Sequence, residues 1–266
     1  MPTFRTIEIS DPHYTPPGFH FVTVKSPALK RRVDVTLFAP PDHPGENLPL
    51  VILMHGVYGS HWAWCFKGGA HEVLNGLVKN GDVPPMMLAM PSDGLWGDGS
   101  GYLPHREANY AQWIVEEVPA VAGLVARETL ESPRFICGLS MGGYGALRLG
   151  AVYPKKFAGI SGHSSITDYR TMEAFIEEPL AAFELTGTEP SSVLEAMLAR
   201  RDRLSPLRFD CGTEDTLIEV NRELHHQLDK AGIAHTYEEF PGAHTWEYWN
   251  EHLADSLKFF AKILRN

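Results

Sequence analysis

A chain of 266 residues that is 44% hydrophobic has the material for a substantial buried core. Its 33 acidic and 23 basic residues leave a formal net charge of −10, and the densest basic run is only Lys30-Arg31-Arg32, so nucleic acid and anionic membrane surfaces are excluded as partners. Three widely spaced cysteines, Cys65, Cys137 and Cys211, exclude a disulfide framework. The opening MPTFRTIEISDPHYTPPGF has no secretory leader and no apolar run nears the ~18 residues of a membrane span, which together predict a cytoplasmic protein.

In chain order, 21–24 and 33–38 are the first expected strands. Val33, Val35 and Leu37 alternate with Asp34, Thr36 and Phe38, the period of a half-buried antiparallel strand. The pattern then changes. LPLVILMH, PPMMLAM and PRFICG are short continuous apolar runs bounded by proline or glycine, as in strands covered on both faces. Helices are expected at 71–79, 109–127 and 142–153. FAGISGH, LSPLRFDCG and HTYEEF continue the strands, with a helix at 217–231 and a long final one at 246–264. The alternation predicts one α/β domain over residues 1–266, with a mainly parallel central sheet of about eight strands and helices on both faces. Residues 163–203 interrupt it, with a short helix announced by the capping box Ser192 and Glu195. That excursion is either a small cap over the sheet or an elongated crossover.

CGLSMGGYGA, starting at Cys137, places Ser140 in a Gly-x-Ser-x-Gly turn with a buried strand before it and a helix after it. In so sharp a turn, side chains two residues either side of the serine would collide, which accounts for Gly138 and Gly142. Gly143 and Gly145 would let the helix approach its neighbours. A serine that only capped the helix would need no flanking glycines. A nucleophilic serine needs a base held by an acid, and in α/β-hydrolases the chain order is Ser, Asp or Glu, His. Asp215, just past RFDCG, is the expected acid, with Asp210 and Glu214 as rivals; the following helix is expected to start at Thr216 with Glu219. His244, in FPGAHTWEYW between the last strand and the last helix, is the expected base, whereas His235 begins a strand and His252 lies within a helix. The backbone N–H groups of Met141 and of Val57, in HGVYGS, are the expected oxyanion donors. No HExxH, paired C-x-x-C or strand-borne G-x-G-x-x-G occurs, so neither a metal nor a cofactor is expected.

LMHGVYGS, MPSDG, NYAQWIVEEVPA, CGLSMGGYGALRL, DCGTEDTL and GAHTWEYWNEHL, in that order, resemble segments of the esterase D group of α/β-hydrolases, above all its tributyrin-esterase-like carboxylesterases. The resemblance spans about residue 33 to the end. It implies an α/β-hydrolase fold, a cofactor-free serine carboxylesterase acting on a small-molecule ester, a triad of Ser140, Asp215 and His244, and oxyanion donors at Val57 and Met141. S-formylglutathione hydrolases are similar in plan, but they carry T-C-T where this chain has VYGS and a histidine where it has Tyr144, which argues against a glutathione thioester. An S-formylglutathione hydrolase, an acyltransferase and a non-catalytic binding protein are the competing functions, and the ordered Ser, Asp and His weigh against the last. Trp62, Trp64, Trp96 and Tyr102, in loops after strands, and Trp246 beside His244, followed by Trp249, are the expected walls for a short acyl, aryl or sugar ester. Assembly into a homo-oligomer is left open.

Overall fold

Residues 2–43, 47–126, 130–186, 188 and 190–265 are described by a computed structural model. Among them, nine strands form one sheet: β1 (Ile7–Ile9), β2 (Phe19–Lys25), β3 (Arg32–Phe38), β4 (Leu50–Met54), β5 (Met87–Pro91), β6 (Arg134–Leu139), β7 (Gly159–His163), β8 (Leu207–Gly212) and β9 (Thr236–Phe240). Their order across the sheet is β1-β2-β3-β5-β4-β6-β7-β8-β9. The pairs β1–β2, β2–β3 and β3–β5 are antiparallel, and every pair from β5 onward is parallel. The helices are α1 (Ala63–Phe66), α2 (Ala70–Lys79), α3 (Tyr110–Gln112), α4 (Val118–Val125), α5 (Met141–Val152), α6 (Val193–Leu198), α7 (Ile218–Lys230) and α8 (Trp246–Leu264).

The unbroken apolar runs have a direct cause. In β4, Leu50, Ile52 and Met54 pack on one face of the sheet with Trp113, Leu147 and Leu224, while Val51 and Leu53 pack on the other with Leu74, Leu253 and Phe260. Helices α4, α5 and α7 therefore share one face, and α2 and α8 share the other. The parallel strands inside the sheet bury both sets of side chains, so no polar alternation survives there, whereas the edge strand β9 stays half-buried.

Three expectations are corrected. The sheet has nine strands, because the three exposed residues of β1 are too short a segment to show a period. β3 buries Thr36 and Phe38 as well as its alternating aliphatics, since Phe38 packs against Phe19 and His71 on the second face. The helix expected at 109–127 is interrupted: Asn109 caps α3, a π-helical turn runs over Trp113–Glu117, and α4 begins at the Val118-Pro119 pair. Pro119 has no N–H to return to the preceding turn, so the helix widens there. Arg127, the expected end of that helix, lies outside the described residues. The Glu117 carboxylate is buried where the turn widens, accepting from Ser26 Oγ at 2.5 Å and from Ala28 N at 2.8 Å.

Between β7 and β8 the chain leaves the sheet and returns, carrying, among the described residues, three 3-10 turns, Tyr169–Ala174, Leu180–Phe183 and Arg201–Arg203, and α6, capped by Ser192. Tyr144 Oη donates to Ser191 O at 2.6 Å and Arg148 Nε to Pro190 O at 2.6 Å, which fasten this excursion to α5.

Candidate active site

Four loops at the C-terminal ends of β4, β6, β8 and β9 meet over the sheet, and each brings one expected element. Ser140 joins β6 directly to α5 with φ 53° and ψ −118°, a backbone conformation that an L-residue adopts only when its surroundings enforce it. The surroundings do so. A Cβ on Gly138 would strike Gly142 O, and a Cβ on Gly142 would strike the carbonyl oxygens of Met54 and His55. Gly143 and Gly145 lie against Ser165 and the Tyr102 ring, so α5 packs as closely as the glycines foretell. The Ser140 hydroxyl makes no capping bond, which removes the reading of this serine as a helix cap.

His244 and Asp215 are brought together. Nδ1 of His244 lies 2.8 Å from Asp215 Oδ2. An ionised carboxylate only accepts, so Nδ1 carries the proton and Nε2 carries the lone pair. Asp215 is 3% exposed. Burial opposes its charge, but the hydrogen bond and charge of His244, the Leu217 N–H at 2.8 Å and the Ser164 hydroxyl together hold its carboxyl below the usual range. The Leu217 bond also corrects the expected helix start: Asp215, rather than Thr216, supplies the oxygen that meets the first free N–H ahead of α7. The rival acids are committed elsewhere. Asp210 is buried against His163, Arg208 and Tyr248, and Glu214 holds the Gly242 N–H and the Thr213 hydroxyl. Of the rival histidines, His235 contacts His225, and His252 pairs with Asp255 at 2.9 Å and stacks on Phe240.

The loop after β4 is shaped by its own side chains. His55 Nδ1 donates to Gly56 O at 2.7 Å, Tyr102 Oη donates to His55 O at 3.0 Å, and Gly59 N returns to Gly56 O at 3.2 Å. Tyr58 sits at φ 57°, and its N–H donates to Asp98 O at 2.9 Å. Among the described residues, neither the Val57 N–H nor the Met141 N–H has a backbone partner.

A pocket of about 310 Å³ opens at this junction, with Ser140 and His244 in its wall beside Val57, Trp62, Trp246 and Trp249. Trp249 stands edge-on to the His244 ring with centroids 4.8 Å apart, and its Nε1 donates to Ser164 Oγ at 3.2 Å. Trp62 and Trp246 thus lie where the sequence puts them, but three other aromatic residues do not. Trp64 is buried and spends its Nε1–H on Met54 O at 3.0 Å. Tyr102 is buried beneath the β4 loop, and Trp96 packs against His105 and Phe183. All three are held in packing away from the pocket wall.

The pocket also contains residues that sequence reasoning missed: Tyr58, Lys67 and Phe175. Phe175, from the excursion after β7, stacks over His244 with centroids 6.4 Å apart, and its carbonyl accepts from Tyr58 Oη at 2.7 Å. Asp98 Oδ2 accepts from Glu177 N at 2.7 Å and Glu178 Oε2 accepts from Asp98 N at 3.0 Å, so the same segment is tied down twice more. Tyr58 stood in view within HGVYGS. Phe175 carried no signal, because only the path of the excursion brings it to His244.

The Esterase family model, described as "Putative esterase", matches residues 26–260. An acetyl esterase of Caldicellulosiruptor saccharolyticus is 28% identical over 90% of this chain and 96% of its own. A solved ferulic acid esterase superposes with TM-score 0.77 at 22% identity, covering 98% of this chain and 99% of that one. An S-formylglutathione hydrolase of Staphylococcus aureus superposes with TM-score 0.75 at 17% identity, covering 93% and 100%. With a mostly parallel sheet wound as in those structures and a family match over nearly its whole length, the chain belongs to the esterase family and has the α/β-hydrolase fold.

Proposed function

We propose that Ser140 is the nucleophile, His244 its base, Asp215 the residue that orients and stabilises His244, and the Val57 and Met141 N–H groups the oxyanion hole. The observation that carries this reading is the 2.8 Å Asp215–His244 contact at the wall of the pocket that also holds the strained Ser140. As Ser140 Oγ bonds to the ester carbonyl carbon, its proton passes to His244 Nε2. The negative charge that develops on the carbonyl oxygen is met by the two backbone N–H groups. The ester C–O bond then breaks, the imidazolium returns the proton to the departing alcohol, and an acyl-Ser140 remains. Water repeats the sequence from the other side: His244 takes its proton, the hydroxyl adds to the acyl carbon, and Ser140 leaves with that proton as the acid is released.

The substrate class follows from the walls. A volume of about 310 Å³ is at the small end for ligand pockets, and its lining of Trp62, Trp246, Trp249 and Phe175 is aromatic. Short acyl esters, acetyl above all, and aryl esters fit it. The names of the acetyl esterase and ferulic acid esterase relatives agree with those two classes. Within the family we place the chain with the esterase D group, as a single domain in which the excursion after β7 serves as a fixed cap carrying Phe175. The three buried free thiols suit a reducing cytoplasm.

A p-nitrophenyl ester series from acetate to octanoate, with methyl ferulate, acetylated xylose and S-formylglutathione, tests the assignment. kcat/KM is expected to be greatest from acetate to butyrate and to fall by at least about tenfold at octanoate, as the acyl chain outgrows the pocket. S-formylglutathione should be a poor substrate. A preference for octanoate, or turnover of none of these esters, would refute the assignment.

A further inference from the structure

On the flank of the sheet, His225 and Asp229 stand one turn apart on α7, and the chain returns from that helix to bring His235 against them just before β9. Potential ligand atoms of the three residues lie within 4.8 Å of one another. We propose that they form a site for a divalent transition metal such as zinc, separate from the Ser140 pocket. His235 precedes β9 and His244 follows it, so the two histidines lie at opposite ends of a strand about 17 Å long.

The case rests on how the ligand atoms face one another. His235 Nδ1 lies 2.7 Å from Ile233 O, a group that only accepts, so Nδ1 bears the proton and Nε2 of the neutral ring presents a lone pair. That lone pair faces His225 Nδ1 at 2.8 Å and Asp229 Oδ1 at 3.9 Å. A neutral His225 then donates from Nδ1 and holds its Nε2 lone pair 3.5 Å from the carboxylate oxygen Asp229 Oδ2. With both rings neutral the cluster holds more acceptors than protons, a surplus that a dication resolves. Moving the His225 proton from Nδ1 to Nε2 frees Nδ1 as a ligand and gives Asp229 a donor, with no net change in protons.

The geometry suits such an ion. Tetrahedral ligands at 2.0–2.1 Å from zinc stand about 3.3 Å apart, and the contacts of His235 Nε2 with His225 Nδ1 at 2.8 Å and with Asp229 Oδ1 at 3.9 Å fall either side of that value. Imidazole with a carboxylate selects zinc, cobalt or nickel over magnesium or calcium. The His235 bond to a backbone carbonyl is the outer contact that orients a metal-bound imidazole. The rings are also fixed by packing, His235 on Phe209 at 5.6 Å and His225 on Tyr237 at 4.8 Å. The His235 side chain is only 1% exposed, whereas those of His225 and Asp229 are 38% and 62% exposed, so an ion can enter from solvent and complete its shell with water. The sequence has neither HExxH nor paired cysteines, and this set is assembled by the turn between α7 and β9 instead.

The test is titration of untagged, chelator-treated protein with Zn²⁺ by calorimetry and with Co²⁺ by visible absorption, magnesium serving as the control. One ion should bind per chain and raise Tm. His225→Gln should abolish that binding and Asp229→Asn should weaken it at least tenfold, with ester turnover unchanged in both. These two side chains are exposed, so neither substitution threatens the fold. No stoichiometric binding, binding undiminished in His225→Gln, or a loss of ester turnover on removing the metal would each overturn the proposal.

Discussion

Three carboxylates within six residues, Asp210, Glu214 and Asp215, show how position and partner together decide a residue's part. Asp215 alone reaches His244, while Asp210 is enclosed by Arg208 and His163, and Glu214 braces the Gly242 turn. Asp215→Asn keeps the shape but removes the charge that favours imidazolium and the preference for the Nδ1–H tautomer. Its kcat should fall by ~10³–10⁴, against less than about tenfold for Glu214→Gln, as steady-state kinetics would show. Asp215 was legible because an acid just past a strand end has few other duties. The aromatic residues were less so. Trp64, Trp96 and Tyr102 stand in the same kind of loop as Trp62, but a tryptophan or tyrosine goes where its polar atom or ring edge finds a partner. Trp64 finds Met54 O and Tyr102 finds His55 O, partners that exist only in the folded chain.

Among the elements, β7, β8 and α8 are joined behind the candidate site by a buried polar cluster. His163 Nδ1 contacts Asp210, its Nε2 meets Ser256 Oγ at 2.8 Å, Arg208 reaches Asp210 at 2.8 Å, and Tyr248 Oη donates to Asp210 at 2.9 Å. Burial works against a charge on His163, but Asp210, with a further contribution from Cys137, outweighs it and raises the imidazole from 6.5 to about 9. A group held protonated in the fold contributes stability that is complete below its unfolded pKa and lost as pH rises through the folded one. Tm should therefore decline between about pH 6.5 and 9. His163→Gln should start lower and flatten that slope, as calorimetry across this range would reveal. The elements themselves were legible wherever burial on two faces or a long amphipathic period marked them, as in β4, β6 and α8. They were obscure where a single tertiary feature intervened. The π turn at Trp113–Glu117 depends on Pro119 and on a carboxylate whose partners, Ser26 and Ala28, come from the turn between β2 and β3.

At the scale of the whole molecule, the sheet order places the loops after β4, β6 and β9 around one small aromatic pocket, with Asp215 from the loop after β8 behind His244. That much was implicit in the strand–helix alternation and the spacing of Ser140, Asp215 and His244. The wall contributed by Phe175 was not, because the excursion after β7 has no period to follow and is fixed only by contacts such as Tyr58 Oη to Phe175 O. The central claim is that one serine among all those in the chain is activated by the assembled fold. Intact-mass measurement after treatment with an organophosphonate, followed by peptide mapping, tests it directly. The protein should gain a single covalent group, placed within CGLSMGGYGA, and Ser140→Ala should gain none while losing kcat by ~10⁶ and keeping its fold. Labelling at a different serine, or undiminished labelling and turnover in Ser140→Ala, would contradict the account.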